Sequence, residues 1–68
     1  MTWWAEVLIG DGGEMFLSVW PEDIIFDHQR NESSTAHGWR GFVEDPSAYG
    51  AAEQALLLAN DHFQRVDL

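Results

Sequence analysis

Three histidines sit among carboxylates in this chain: His28 follows Asp27, His37 lies nine residues further on, and His62 follows Asp61. Imidazole and carboxylate are the donor types of a zinc centre, which needs three or four ligands converging at about 2 Å, normally at spacings such as HExxH. No such spacing occurs, and histidines beside acids are common on solvated surfaces, so the reading expects no metal site and no cofactor. His62, on the flank of the last element, reads as a half-buried packing residue.

Nucleophilic chemistry is poorly supplied. The chain has no Cys and no Lys, and Ser18, Ser33, Ser34 and Ser47 lie in no GxSxG-like elbow. Asp27, Ser34 and His37 form only the sort of constellation that any chain of this size offers. The neighbouring acids Glu22-Asp23 and Glu44-Asp45 would point to opposite faces of a strand, which is poor geometry for joint acid and base work. Gly10-Asp11-Gly12-Gly13 lacks the Lys and following helix of a phosphate-binding loop and carries Asp11 where an anion would sit. The chain is expected not to be an enzyme.

What remains is charge. Twelve Asp and Glu face three Arg, for a formal net charge of -9, slightly beyond the magnitude of roughly 2 to 8 at which small domains sit comfortably. Direct nucleic-acid binding depends on Lys and Arg neutralising phosphates, so that class is excluded, and an anionic membrane surface is disfavoured for the same reason. No apolar run approaches the 18 or so residues of a membrane span, and MTWWAEVLIG has no basic n-region. A cytoplasmic protein is expected. With no cysteine there is no disulfide framework, so apolar burial must hold the fold. Four Trp, four Phe and one Tyr supply it, since each aromatic can bury roughly 150–250 Å².

These residues must be positioned by a few elements. Residues 2–9 alternate as a strand, with Trp3, Ala5, Val7 and Ile9 on one face and Trp4, Glu6 and Leu8 on the other. Residues 10–13 are a hairpin turn, and 14–20 form a second strand that stops or becomes an edge at Pro21. Residues 22–28 read as a third strand through the β-propensity of Ile24-Ile25-Phe26; a helical turn opened by Pro21 with Glu22 and Asp23 behind it is the other option. Residues 29–36 are a polar loop, and 37–44 a last strand. A helix over 45–65 takes Asp45 as N-cap and Pro46 as first residue. Its stripe is Tyr49, Ala52, Leu56, Ala59, Phe63 and Val66. Gly50 in the first turn has no evident reason, and Leu58 points away from that stripe. The expected fold is α+β: one domain, 1–68, with an antiparallel sheet of three to four strands carrying one C-terminal helix on one face.

The acids concentrate at strand ends and connections: Asp11, Glu14, Glu22, Asp23, Asp27, Glu32, Glu44 and Asp45. Same-face residues of a strand lie about 6.6 Å apart and adjacent strands about 4.8 Å apart, so carboxylates on a sheet could track the closely spaced charges of a nucleic-acid backbone. Clustered in that way they would repel, raising their folded pKa values. In size and charge the chain resembles the small acidic single-domain inhibitors encoded by phages, including anti-CRISPR proteins acting on type I systems, I-C among them. The resemblance covers the whole chain in profile and no residue motif. It implies a monomer in the host bacterial cell that binds a basic nucleic-acid-handling protein, such as a Cascade-type surveillance complex. It would block DNA binding by imitating nucleic-acid charge, with the eight acids above as contacts and Glu22, Asp23, Asp27 and Glu32 foremost. The alternative is a structural or adaptor module that pairs with a protein partner through exposed Trp4, Trp20 or Leu58.

Overall fold

The computed structural model describes residues 1–26 and 29–66. Period-two alternation makes β1 (Thr2–Ile9) and β2 (Met15–Pro21), joined by Asp11-Gly12-Gly13. The Gly13 N–H donates to the Gly10 carbonyl at 2.9 Å, and the Gly10 N–H to the Glu14 carbonyl at 2.7 Å. Gly13 has φ 84°, so the turn ends in the left-handed region that glycine enters without strain, as three-residue hairpin loops require. The third strand, β3 (Gly38–Glu44), pairs with the other side of β1, giving the antiparallel order β2-β1-β3.

This order dictates the rest. β2 ends beside Trp3 and β3 begins beside Leu8, so residues 22–37 must travel the length of the sheet. β3 ends beside Thr2, so the following helix must travel back. Helix α1 (Ala48–Val66) has 19 residues and β1 has 8. At 1.5 Å and about 3.3 Å per residue, both elements span roughly 26–29 Å. The helix covers one face of the sheet and the crossover covers the other.

On the helix side the core is Trp3, Ala5, Val7 and Val43 against Ala51, Ala55 and Ala59, with Val19, Trp39 and Phe63 half-buried around them. The helix therefore uses an alanine ridge at i, i+4 and i+8, which shares Ala59 and the flanking Phe63 with the expected stripe but not its larger members. Tyr49 is 77% exposed, and Leu56 and Val66 are also exposed. The reason is space. Trp3 and Trp39 already fill the layer, and only methyl side chains let the helix backbone approach it. Leu57 at 72% and Leu58 at 46% exposure face solvent.

Two further expectations are corrected. Residues 22–24 form a 3-10 turn, not a strand; Pro21 precedes it and Glu22 and Asp23 stand in its first turn, as in the helical-turn option. Asp27 and His28, which were read into the same strand, lie outside the described residues. The helix cap is Ser47, whose hydroxyl accepts from the Gly50 N–H at 3.1 Å, two residues later than expected. Asp45 stands outside the helix, accepting at one oxygen from the Ser47 N–H at 3.0 Å and at the other from the Gln54 amide at 3.0 Å. A Cβ at position 50 would run into that pinned carboxylate, which explains the glycine.

Trp4 is only 1% exposed, packed edge-on against Phe42 with ring centroids 4.9 Å apart. It belongs to the core of the second face and offers no exposed anchor.

Enlarging the alanine ridge tests this packing. A55L should lower stability by about 1–3 kcal/mol through overpacking. L57Q, on the solvent side, should stay within about 0.5 kcal/mol of wild type. Both are read from urea denaturation midpoints at constant m.

Candidate functional site: acidic poles and an aromatic cleft

The crossover is fastened to the sheet by two of the three arginines. Arg30 donates to the Glu22 carboxylate at 3.0 Å and to the carbonyls of Glu22 and Ile25 at 3.3 and 3.4 Å. Its guanidinium lies 5.9 Å from the Phe42 ring centroid, within cation–π range. Arg40, on β3, reaches Glu6 across the sheet at 3.5 Å and donates to the Ser33 carbonyl at 3.2 Å. The hydroxyl of Ser34 accepts from the Arg40 backbone N–H at 3.1 Å, and the Thr35 N–H donates to the Gly38 carbonyl at 2.7 Å. Residues 33–35 thus lie along the outer side of β3 and blunt that edge. His62 meets the Thr35 carbonyl at 2.6 Å through Nε2, so this half-buried histidine ties the helix to the crossover. The third arginine, Arg65, pairs with Asp61 one helical turn back at 3.1 Å.

All three cations therefore answer acids of their own chain. The acids foreseen as contacts separate into groups. Asp11 and Glu14 stand exposed at the hairpin end. Glu22, Asp23, Glu44 and Asp45 lie at the opposite end of β1, roughly 20–25 Å away along the strand. Glu32 is exposed on the crossover, and Asp27 lies outside the described residues. The structure brings no carboxylate ladder onto the sheet: its strands carry only Glu6, which Arg40 meets, and the terminal Glu44. The acids were drawn to connections because the strand faces are taken up by core.

Several of the eight also do structural work. Glu22 is the ion-pair partner of Arg30. Glu44 accepts from the Thr2 hydroxyl and lies 3.6 Å from the N-terminal ammonium. Asp45 is held below the ordinary aspartate pKa, chiefly by the Ser47 backbone N–H; partial desolvation opposes this, and the Gln54 amide, the Ser47 hydroxyl and the N-terminal charge add to the lowering. Repulsion among clustered acids would have acted in the other direction. Asp11, Asp23, Glu32 and Glu53 remain exposed, with no cation beside them among the described residues.

Among the described residues no three His, Asp or Glu side chains gather in a way that could hold a metal ion; the Asp27-His28 pair lies outside them. No helix there is long and apolar enough to cross a membrane.

Sequence reasoning did not foresee a concave feature of the second sheet face. Between the crossover and the second face of the sheet, Trp4, Glu6, Trp20, Ile24, Ile25, Phe26 and Gln29 line an open cleft of about 440 Å³. The signal in the sequence is Ile24-Ile25-Phe26, an apolar run shortly after Pro21 with the β-propensity of a strand. In the structure Ile24 and Phe26 are 59% and 68% exposed, forming the rim above the half-buried Trp20.

No family model matches the chain, and neither a curated protein nor a solved structure matches it. Function therefore rests on charge and geometry.

The Asp45 corner makes a pH prediction. Because its folded pKa is depressed, Asp45 contributes stability in full above its unfolded value of about 3.9, and that contribution is lost as pH falls through the folded value. D45N should therefore be less stable than wild type at pH 5–7, and the two denaturation midpoints should converge towards pH 2.5. A difference that stays constant over that range would remove the carboxylate charge from the account.

Proposed function

We propose that this protein is a non-enzymatic inhibitor that binds a basic, nucleic-acid-handling protein complex through its carboxylates and keeps nucleic acid from it. The observation that carries this reading is the pairing of Arg30, Arg40 and Arg65 with Glu22, Glu6 and Asp61. With every cationic side chain answered internally, a net charge of -9 presents itself to a partner as an almost purely negative surface. Such a field accelerates encounter with a basic groove and competes with phosphates for it. What supports mimicry is the sign and density of charge at the two ends of the domain, not a phosphate-by-phosphate spacing. On this reading the chain works as a monomer in the cytoplasm of a bacterial host, in the manner of phage-encoded anti-CRISPR proteins acting on type I surveillance complexes.

One observation favours a second reading, an adaptor that pairs through apolar contacts. Tyr49, Leu57 and Leu58 are exposed on the helix, whereas Trp4 is buried and drops out as an anchor. Salt separates the two readings, because exposed charge pairs are screened within about 10 Å at 0.1 M while apolar contacts persist.

The test uses a variant that spares the acids holding the fold together. Wild type added in modest molar excess should abolish target-DNA binding by a purified type I surveillance complex at 50 mM salt and lose that effect by about 0.5 M. D11N/E14Q/D23N/E32Q should require at least ten times more protein while melting no lower than wild type. Undiminished DNA binding with wild type present would reject that target, and equal potency of the variant would reject the carboxylates as contacts.

A further inference from the structure

We propose that the cleft between the crossover and the second sheet face is a binding site for an arginine side chain of a basic partner. This rests on the reading above and sharpens it, by giving an otherwise diffuse negative surface one directional contact.

Three features of the cleft suit a guanidinium. Its lining is aromatic and aliphatic: the half-buried Trp20 stands beside the buried Trp4, and Ile25 and Phe26 line it from the crossover. A guanidinium is planar and weakly hydrated, stacks on such faces, and gains cation–π energy from them. The wall also holds a carboxylate. Glu6 follows Trp4 on the same face of β1, with a side chain only 24% exposed, so a cation reaching it would interact in a partly desolvated setting.

Glu6 is also incompletely satisfied by its own chain. The Trp4 indole N–H and the Arg40 Nε–H both approach the same oxygen, Oε1, at the long distances of 3.4 and 3.5 Å. Oε2 carries no hydrogen bond among the described residues. A carboxylate with one oxygen loosely held and the other open accepts a further charged donor readily.

The volume, about 440 Å³, lies at the small end of ligand sites, a scale suited to one long side chain. Charge complementarity decides the occupant. A second copy of this chain brings a net charge of -9 and meets repulsion, whereas a basic partner brings arginines. Gln29 adds a polar group at the rim, its side-chain oxygen already accepting from the Phe26 N–H at 3.2 Å, which keeps the turn formed around the opening.

The experiment is an NMR titration of the whole chain with Nα-acetyl-L-argininamide, with the neutral citrulline counterpart as control. The indole N–H signals of Trp4 and Trp20 and the amides of Ile25 and Phe26 should shift along a single saturable isotherm. E6Q should bind at least fivefold more weakly, F26A severalfold more weakly, and citrulline at least tenfold more weakly to wild type. Each variant's own spectrum establishes that it is folded, and F26A alters a rim residue 68% exposed.

Equal binding of citrulline, unchanged affinity of E6Q, or shifts spread evenly over Asp11, Asp23 and Glu32 would each overturn the cleft as a guanidinium site. A deca-arginine peptide separates this failure from failure of the broader reading. Salt-sensitive peptide binding by E6Q and wild type alike would sink the cleft and leave the surface charge standing. No peptide binding by wild type at low salt would remove both.

Discussion

The placement of β1 between β2 and β3 is the constraint on which the rest of this structure depends. A central strand with both edges paired has two faces to bury, and here the crossover and the helix bury one each. The crossover starts at one end of the sheet and finishes at the other, and the helix, leaving β3 at the first end, runs back along the opposite face. Alternation along β1 supplies both layers at once, Trp3, Ala5 and Val7 to the helix and Trp4, Glu6 and Leu8 to the crossover. A domain this small buries only about 60% of its unfolded surface, and a central strand that packs on both sides makes full use of what it has.

The two layers are held in different ways. Under the helix the packing is apolar and close, with alanine methyls set against tryptophan rings. Under the crossover it is polar and open, with Arg30 and Arg40 gathering backbone carbonyls and carboxylates that an irregular segment cannot satisfy by itself. Polar groups shielded from water must find partners, and here they find them in two of the chain's three arginines. The negative exterior follows from this internal use: arginines committed to the crossover cannot offset the acids at the strand ends.

The parts of the fold written in short-range pattern were legible in the sequence. Alternation with a glycine-rich turn marked the first hairpin, and apolar spacing marked the last helix to within three residues at its start and one at its end. What depended on tertiary competition was not legible. The stripe through Tyr49, Leu56 and Val66 contains the larger apolar side chains, yet the helix turned its alanines inward because the tryptophans opposite left little room. Ile24-Ile25-Phe26 has the propensity of a strand, yet the chain after Pro21 turns at Glu22–Ile24 and lines the cleft instead. Asp45 looks like a cap, and only the path of the chain out of β3 places Ser47 there instead. The acids were legible as residues, but their separation to opposite ends of β1 required the register.

Exposed apolar surface beside strong charge narrows what the domain can meet. Tyr49 and Leu57 would ordinarily invite self-association through the helix, but two copies approaching at that face carry like charge, and repulsion between them acts over about 10 Å at 0.1 M salt. In the proposed function the same field attracts a basic partner, for which the apolar residues add contact area once the charges have met. Charge of one sign thus does not compete with the apolar surface; it selects which partner is allowed to reach it. A partner lacking basic residues would gain the apolar contacts without the steering, and one lacking apolar residues would be released by salt. The proposed partner is therefore a protein that has both.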